Sequence, residues 1–266
     1  MTALAEPRRG AAAPEPEPPS DLPRMSLLEH LEELRKRLLR SIVALVIGMG
    51  ACLSWAPEIC RWLARPIQEF LPEGTKLAFL GVTDPFLLYF KTALLAGTFL
   101  AFPWILWEVW RFVSPGLYPK ERLWAGPFVL LGWLFFVGGG AFAYWIAFPR
   151  AVQFLMEIAG PDLMPVITVE RYYGFLLTIV LGLGLMFELP ILLVLLAKLG
   201  LVTPRFLIRH FRWAVLIIFV IAAVITPTSD VVNLSLFAVP TIGLYLLGVF
   251  GAWLVAPKRR PAAEAE

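Results

Sequence analysis

Long apolar runs constrain this chain more than any other feature of its sequence. A helix needs about 20 mostly apolar residues to cross the roughly 30 Å hydrocarbon core of a bilayer. Hydrophobic residues make up 59% of the 266 residues, and charged residues only 16%. We therefore expect an all-α membrane protein with six transmembrane helices. The six runs that predict them are about 38–56, 86–110, 123–148, 173–198, 212–226 and 231–256.

The fifth of these runs is unusually short. Its sequence, "RWAVLIIFVIAAVIT", contains only 15 residues. A helix of that length does not match a bilayer of full thickness. The sequence therefore predicts either a locally thinned bilayer or shielding of this helix by its neighbours.

The distribution of Lys and Arg predicts the orientation. If the N-terminus lies inside, 17 of the 23 Lys and Arg residues fall in inside segments, and six fall in outside segments or outer helix ends. Inside loops of membrane proteins carry an excess of these residues. We therefore expect both termini in the cytoplasm, with the chain spanning the cytoplasmic membrane several times.

The chain divides into a membrane domain and two tails. Residues 1–24 are predicted to be a disordered cytoplasmic tail, because residues 1–23 contain six prolines and no apolar run. Residues 25–256 form the membrane domain, and 257–266 are a second cytoplasmic tail. The domain begins with an amphipathic helix, 25–40, which either anchors the chain to the membrane surface or offers a charged face to a partner.

Motifs for catalysis are missing from the sequence. It contains only two histidines, no HExxH or GxSxG motif, and no Gly-rich phosphate-binding loop. We therefore expect no enzyme activity, no cofactor, no metal site and no nucleic-acid partner. The cysteines, Cys52 and Cys60, fit no metal pattern; a bridge between them stays open, and we interpret them as packing residues.

Glu188 is the one acid deep within a predicted span. Such an acid is costly in lipid and by default faces protein or water. It could be a protonated, hydrogen-bonded structural group, or the coupling acid of a small-solute transporter. Lys91 and Glu108 lie nearer the ends of the second span, so we expect their side chains to reach an interface.

Several short stretches together resemble the TatC family, the core of the twin-arginine protein translocase. Their order and spacing match from about residue 25 to 255. They are "HLEELRKRL" (30–38), "DPF" (84–86), "FVSPGLYPKER" (112–122), "AFAYWIAFP" (141–149), "FELPI" (187–191), "ITPTSD" (225–230) and "AVP" (238–240).

The resemblance implies a glove-shaped bundle that recognises twin-arginine signal peptides. In the family, TatA and TatB partners join other TatC copies to export folded proteins, driven by the proton-motive force. Glu33 and Glu121 match the two acids that contact the signal. Arg35 and Arg37 fall in the matched N-terminal motif, and Phe112 falls in the matched loop motif.

Three further positions carry an implied role. Glu188 matches a polar residue on the concave intramembrane face, Pro66 matches a loop position needed for function, and Asp230 ends the family's "TP-D" run. The chain departs from the family pattern nearby. That run has an extra residue, and Leu234 replaces a glutamine. A glutamate common near the end of the last span is absent, with Tyr245, Leu246 and Leu247 there instead. A purely structural membrane scaffold is the remaining alternative function.

Overall fold

The protein is helical throughout the ranges that this computed structural model describes, apart from one β-bridge. Those ranges are 27–68, 77–114, 124–160, 166–226 and 230–255. The predicted tails, 1–24 and 257–266, lie outside the described residues. The helices are α1 (Leu27–Leu53), α2 (Ala56–Leu63), α3 (Arg65–Gln68), α4 (Asp84–Val113), α5 (Ala125–Phe142), α6 (Phe148–Ala159), α7 (Val169–Phe187), α8 (Leu189–Lys198), α9 (Pro204–Arg209), α10 (Phe211–Ile225) and α11 (Val231–Val255).

Within the described ranges, four helical stretches are long and apolar enough to cross a membrane. They are Asp84–Val113, Ala125–Ile158, Val169–Lys198 and Val231–Val255. A fifth is reached if α1 is counted with α2 and α3, which follow it after a bend of 85°. The fifth predicted span corresponds to α10, which has 15 residues and is shorter than such a span requires.

Proline explains the two places where long helices change character. Proline has no N–H and its ring collides with the carbonyl four residues earlier. Accordingly, α5 passes through a π-helical turn, Ala143–Ala147, just before Pro149. In the same way, α7 ends at Phe187 and α8 begins at Leu189, so Glu188 lies at the break before Pro190. The helix continues past each of these two interruptions, so that α5 with α6 and α7 with α8 each form one spanning stretch.

Helices α1 and α4 pack closely because two glycines face each other. A Cβ atom placed on Gly97 would lie 2.4 Å from the backbone nitrogen of Met49, and one on Gly48 would lie 2.7 Å from the carbonyl oxygen of Gly97. Only the absence of side chains lets the backbones approach this far. This crossing sets the register in which the charged start of α1 meets the end of α4.

The opposite end of α1 leads into a cap built from loops and short helices. Three buried or half-buried tyrosines donate hydrogen bonds to carbonyl oxygens in α2: Tyr173 to Cys60 (2.7 Å), Tyr144 to Trp62 (2.6 Å) and Tyr172 to Leu63 (2.7 Å). These carbonyls include the last ones of the helix, which have no partner within it. The tyrosines therefore tie α2 to the long helices beneath it.

Two further contacts complete this cap. The β-bridge joins Ala78 to Thr168, with the Ala78 amide 3.1 Å from the carbonyl of Ile167. Cys60 is buried with its Sγ 3.0 Å from the hydroxyl of Thr92, and both cysteines are free. The disulfide bond between Cys52 and Cys60 that the sequence left open is therefore not formed.

Candidate functional site: a charged face between α1 and α4

Arg37 connects the start of α1 to the end of α4. Its Nη2 donates to Oε1 of Glu33 at 2.8 Å, one helical turn earlier, and its Nη1 donates to Oε2 of Glu108 at 2.8 Å. The spacing of four residues explains the first contact, since such side chains are neighbours on a helix. The second contact depends on the crossing of α1 and α4.

These three side chains are shielded from solvent. The exposed fraction of the side chain is 1% for Glu108, 14% for Arg37 and 19% for Glu33. Oε2 of Glu33 and Oε1 of Glu108 are both buried, and neither has a hydrogen-bond partner among the described residues. One guanidinium therefore satisfies one oxygen of each carboxylate and leaves the other acceptor of each unused.

The prediction that Glu108 reaches an interface is wrong. Snorkelling was expected because this acid lies near the end of its span, but its side chain points to Arg37 and is almost completely buried. The ion pair with Arg37 compensates for the hydration that the Glu108 carboxylate loses on burial. Sequence spacing could not reveal it, since the two residues lie 71 positions apart.

The apolar side of the same helix faces outward. Leu31 and Leu38 are 60% and 58% exposed, whereas Glu33 and Arg37 lie against α4. An amphipathic helix in water would bury its leucines instead. The exposed stripe therefore suits an apolar surrounding such as the membrane interface.

An aromatic contact also joins the two matched segments. The rings of His30 in α1 and Phe112 in α4 are stacked, with their centroids 4.4 Å apart. Arg35 is exposed on α1. Glu121, the second predicted signal-contacting acid, lies outside the described residues.

A cavity of about 400 Å³ lies beside the ion pairs, and its lining among the described residues is charged throughout. Lys36 bonds to Glu32 at 2.8 Å, and this hydrogen bond lowers the pKa of the Glu32 carboxyl below its usual range. The cavity thus offers both carboxylate acceptors and cationic donors to a peptide. The lining residues are Glu29, Glu32, Glu33, Lys36, Arg37, Arg40 and Arg111.

Glu188 lies apart from this charged face, at the break between α7 and α8. Its Oε2 is next to α5, where a Cβ atom on Gly132 would come within 3.2 Å. Its Oε1 is buried without a hydrogen-bond partner among the described residues. The residue also borders an apolar cavity of about 520 Å³ that Tyr245 of α11 and Ile218 of α10 help to line.

The two remaining predicted positions, Pro66 and Asp230, each lie next to the end of a helix. Pro66 is half-buried in α3, directly beside the α2 cap that the tyrosines hold. Asp230 precedes α11, where its Oδ1 accepts from the Asn233 amide at 2.7 Å and its Oδ2 accepts from the Asn233 side chain at 2.9 Å. That is the geometry of a helix N-cap.

Within the described ranges, no group of three or more His, Cys, Asp or Glu residues could hold a metal ion.

Comparison with known proteins now adds to this geometry. The sequence model of the family described as "Sec-independent protein translocase protein (TatC)" matches residues 29–240. The chain belongs to the TatC family. The match begins before Glu33 and continues past Asp230, so it contains every predicted site residue.

The sequences of individual TatC proteins match this chain over almost its whole length. The protein is 44% identical over 249 residues to a TatC of Koribacter versatilis, covering 91% of this chain and 92% of that one. It is 37% identical over 243 residues to a TatC of Aquifex aeolicus, covering 91% and 100%. This membership favours protein translocation over the small-solute transporter considered from Glu188.

A solved structure shares the fold as well. It is described as the crystal structure of the twin arginine translocase receptor TatC, and it superposes with a TM-score of 0.75 at 38% sequence identity. The match covers 85% of this chain and 99% of that chain. The chain is thus an all-helical TatC protein with several membrane-spanning helices.

Proposed function

We propose that this protein is the subunit that recognises twin-arginine signal peptides and, with TatA and TatB family partners and further copies of itself, exports folded proteins across the cytoplasmic membrane. The proton-motive force drives the transport, and no catalytic step on the cargo is involved. Its relatives are described as a Sec-independent protein translocase and a twin-arginine translocase receptor, and this description supports the proposed function.

The observation that carries the proposal is the meeting of two matched motifs. The N-terminal motif on α1 touches the end of α4, where the loop motif begins, through the His30–Phe112 stack and the Arg37–Glu108 ion pair. Glu33 is held at this junction by Arg37. A peptide bound there would contact both segments at once.

The chemistry of the junction suits arginine. A carboxylate offers two acceptor oxygens that match the planar fork of a guanidinium, and such pairs are stronger than neutral hydrogen bonds. We assign Glu33 and Glu121 to the arginine pair of the signal. Arg35, Arg37 and Phe112 form the rest of the receptor surface, with Arg37 orienting Glu33.

We infer the topology from the charge distribution and the apolar runs. Six spans place both termini in the cytoplasm, with α10 as the short fifth span and the bundle open on one concave face. The charged face between α1 and α4 then meets cytoplasmic signals, and the exposed leucines of α1 meet lipid.

Three positions serve the later steps in this proposal. Glu188 is an intramembrane polar group that faces partner helices or the inserted signal, since a buried acid without a partner calls for one. Pro66 shapes the outer cap beside α2. Asp230 starts the last span by capping α11.

Peptide binding to the purified full chain tests this function. In lipid nanodiscs, Glu33→Gln and Glu121→Gln should each weaken binding of a twin-arginine signal peptide by about tenfold or more, as expected for loss of a charged hydrogen-bond acceptor. Glu58→Gln is the matched control, because Glu58 pairs with Arg61 on α2 at the other end of the molecule. Unchanged binding in both site variants would refute the assignment.

A further inference from the structure

Glu108 is a buried acid that the receptor residues considered so far do not include. It lies on α4 with a side chain 1% exposed, and one of its two oxygens has no hydrogen-bond partner among the described residues. A buried acceptor without a partner costs free energy, so this oxygen is a candidate acceptor for a donor from another molecule. Its neighbour Glu33 has the same kind of unused oxygen.

Both acids hold the same guanidinium. Arg37 reaches Glu33 with Nη2 and Glu108 with Nη1, each at 2.8 Å. The planar guanidinium reaches the two carboxylates from two separate nitrogens in a fixed geometry, which the single nitrogen of a lysine ammonium does not reproduce. The site is therefore already shaped around one arginine side chain.

We propose that Glu33 and Glu108 form a two-carboxylate cradle for one arginine of the signal peptide, and that Arg37 occupies this cradle until the signal replaces it. This inference rests on the proposed signal-receptor function and adds a carboxylate to it. It also explains a preference for arginine at one position of the signal, because the two acids are spaced to accept the two nitrogens of one guanidinium.

Charge balance favours exchange over simple addition. The adjoining cavity already contains the basic side chains of Lys36, Arg40 and Arg111. Inserting a further guanidinium beside Arg37 would place two cations against each other at the two acids, whereas replacing one guanidinium by another leaves the charge of the cradle unchanged. Both carboxylates also stay paired, so neither is left buried alone.

Arg37 has a route out of the cradle. Its side chain is 14% exposed and lines the cavity, while Glu108 lies behind it. The signal arginine can therefore approach through the cavity as Arg37 turns toward it. In the released position Arg37 remains near Glu29 and Glu32, which also line the cavity.

The decisive variant is Glu108→Gln, which keeps the size of the side chain and can still accept from Arg37. Binding to the full chain in nanodiscs is measured for a peptide with both arginines and for two peptides in which one arginine or the other is lysine. Because Glu108→Gln weakens the hold on Arg37 as well as on the signal arginine, we expect its effect in the preference for arginine. The double-arginine peptide should lose about tenfold of its advantage over the single-lysine peptide whose lysine falls at the cradle. Its advantage over the other single-lysine peptide should stay at the wild-type value, because both of those peptides present arginine to the cradle. Thermal unfolding verifies that the variant is folded.

A second variant tests exchange. Arg37→Lys keeps a cation between the carboxylates, so both remain paired, but the lysine competes less well for the fork. The double-arginine peptide should bind several-fold more tightly to it than to the wild type. Weaker binding to folded Arg37→Lys would show that Arg37 positions the acids throughout, and would overturn exchange.

The outcomes separate this inference from the proposed function. If Glu108→Gln binds all three peptides as the wild type does while Glu33→Gln weakens binding, the cradle is wrong and the receptor function stands. If Glu33→Gln and Glu121→Gln also bind normally, the receptor assignment itself fails. Equal weakening of all three peptides by Glu108→Gln would indicate a general structural effect and would also contradict the cradle.

Discussion

Arg37 of α1 and Glu108 of α4 form an ion pair between the start of one helix and the end of another, with Nη1 of the arginine 2.8 Å from Oε2 of the glutamate. Glu108 is 1% exposed, so its charge depends on this partner. The pair holds the two matched segments of the chain against each other, and the structure of the charged face depends on it.

Removing one partner of this pair should destabilise the protein. Because Glu108→Ala leaves the guanidinium of Arg37 without its interhelical acceptor, we expect a loss of about 3 kcal/mol in the free energy of unfolding. Chemical denaturation in detergent micelles measures it. Glu32→Ala, which removes an exposed ion pair on the same helix, should leave the free energy of unfolding almost unchanged. Similar stabilities for the two variants would contradict a structural role for the buried pair.

The glycine crossing gives a second stability prediction. Gly97→Ala places a Cβ atom 2.4 Å from the backbone nitrogen of Met49, so α1 and α4 must separate. We expect a cost of about 1–3 kcal/mol in the free energy of unfolding, together with weaker signal-peptide binding as Arg37 and Glu108 move apart. Gly50→Ala on α1 is the control, since nothing lies within 4 Å of its added Cβ atom. If Gly97→Ala kept wild-type stability and binding, the crossing would not set the register.

Much of the local structure of the charged face could be predicted from the sequence. The spacing of Glu33 and Arg37 predicts an ion pair along the helix, and the structure contains it. The helical fold and the membership of the TatC family are likewise confirmed. These features depend on neighbours in the sequence or on motifs that stand in order along it.

The tertiary contacts could not be predicted in this way. Glu108 was expected at an interface because it lies near the end of its span. Periodicity does not reveal that α1 crosses α4 at Gly48 and Gly97 or that Glu108 meets Arg37. Among the described residues the structure gives four or five spans where the sequence predicts six. The fifth requires α1 to be counted with α2 and α3 across the 85° bend, and α10 is too short to count.

Asp230 offers a prediction that separates capping from other roles. Asn keeps an acceptor for the backbone amide of Asn233, whereas Ala does not. We expect Asp230→Ala to lower the free energy of unfolding by about 1 kcal/mol and Asp230→Asn to restore most of it. Export of a twin-arginine cargo is measured in the same variants. Export that fails in Asp230→Asn despite restored stability would show that the charge itself is required.

The tyrosine contacts predict a local effect at the outer cap. Tyr172→Phe removes the donor that satisfies the carbonyl of Leu63, which we expect to cost about 1 kcal/mol and to speed hydrogen exchange in α2. Tyr89→Phe is the matched control, because Tyr89 is 40% exposed nearby on α4. Equal exchange rates in the two variants would show that the tyrosine hydroxyl does not hold α2.

The receptor claim is tested most directly by the affinity of the purified wild-type chain for two signal peptides that differ only in their arginine pair. We expect the peptide with two arginines to bind at least about tenfold more tightly than the peptide with two lysines, because carboxylates at the charged face accept the guanidinium fork. Equal affinity for the two peptides would contradict it.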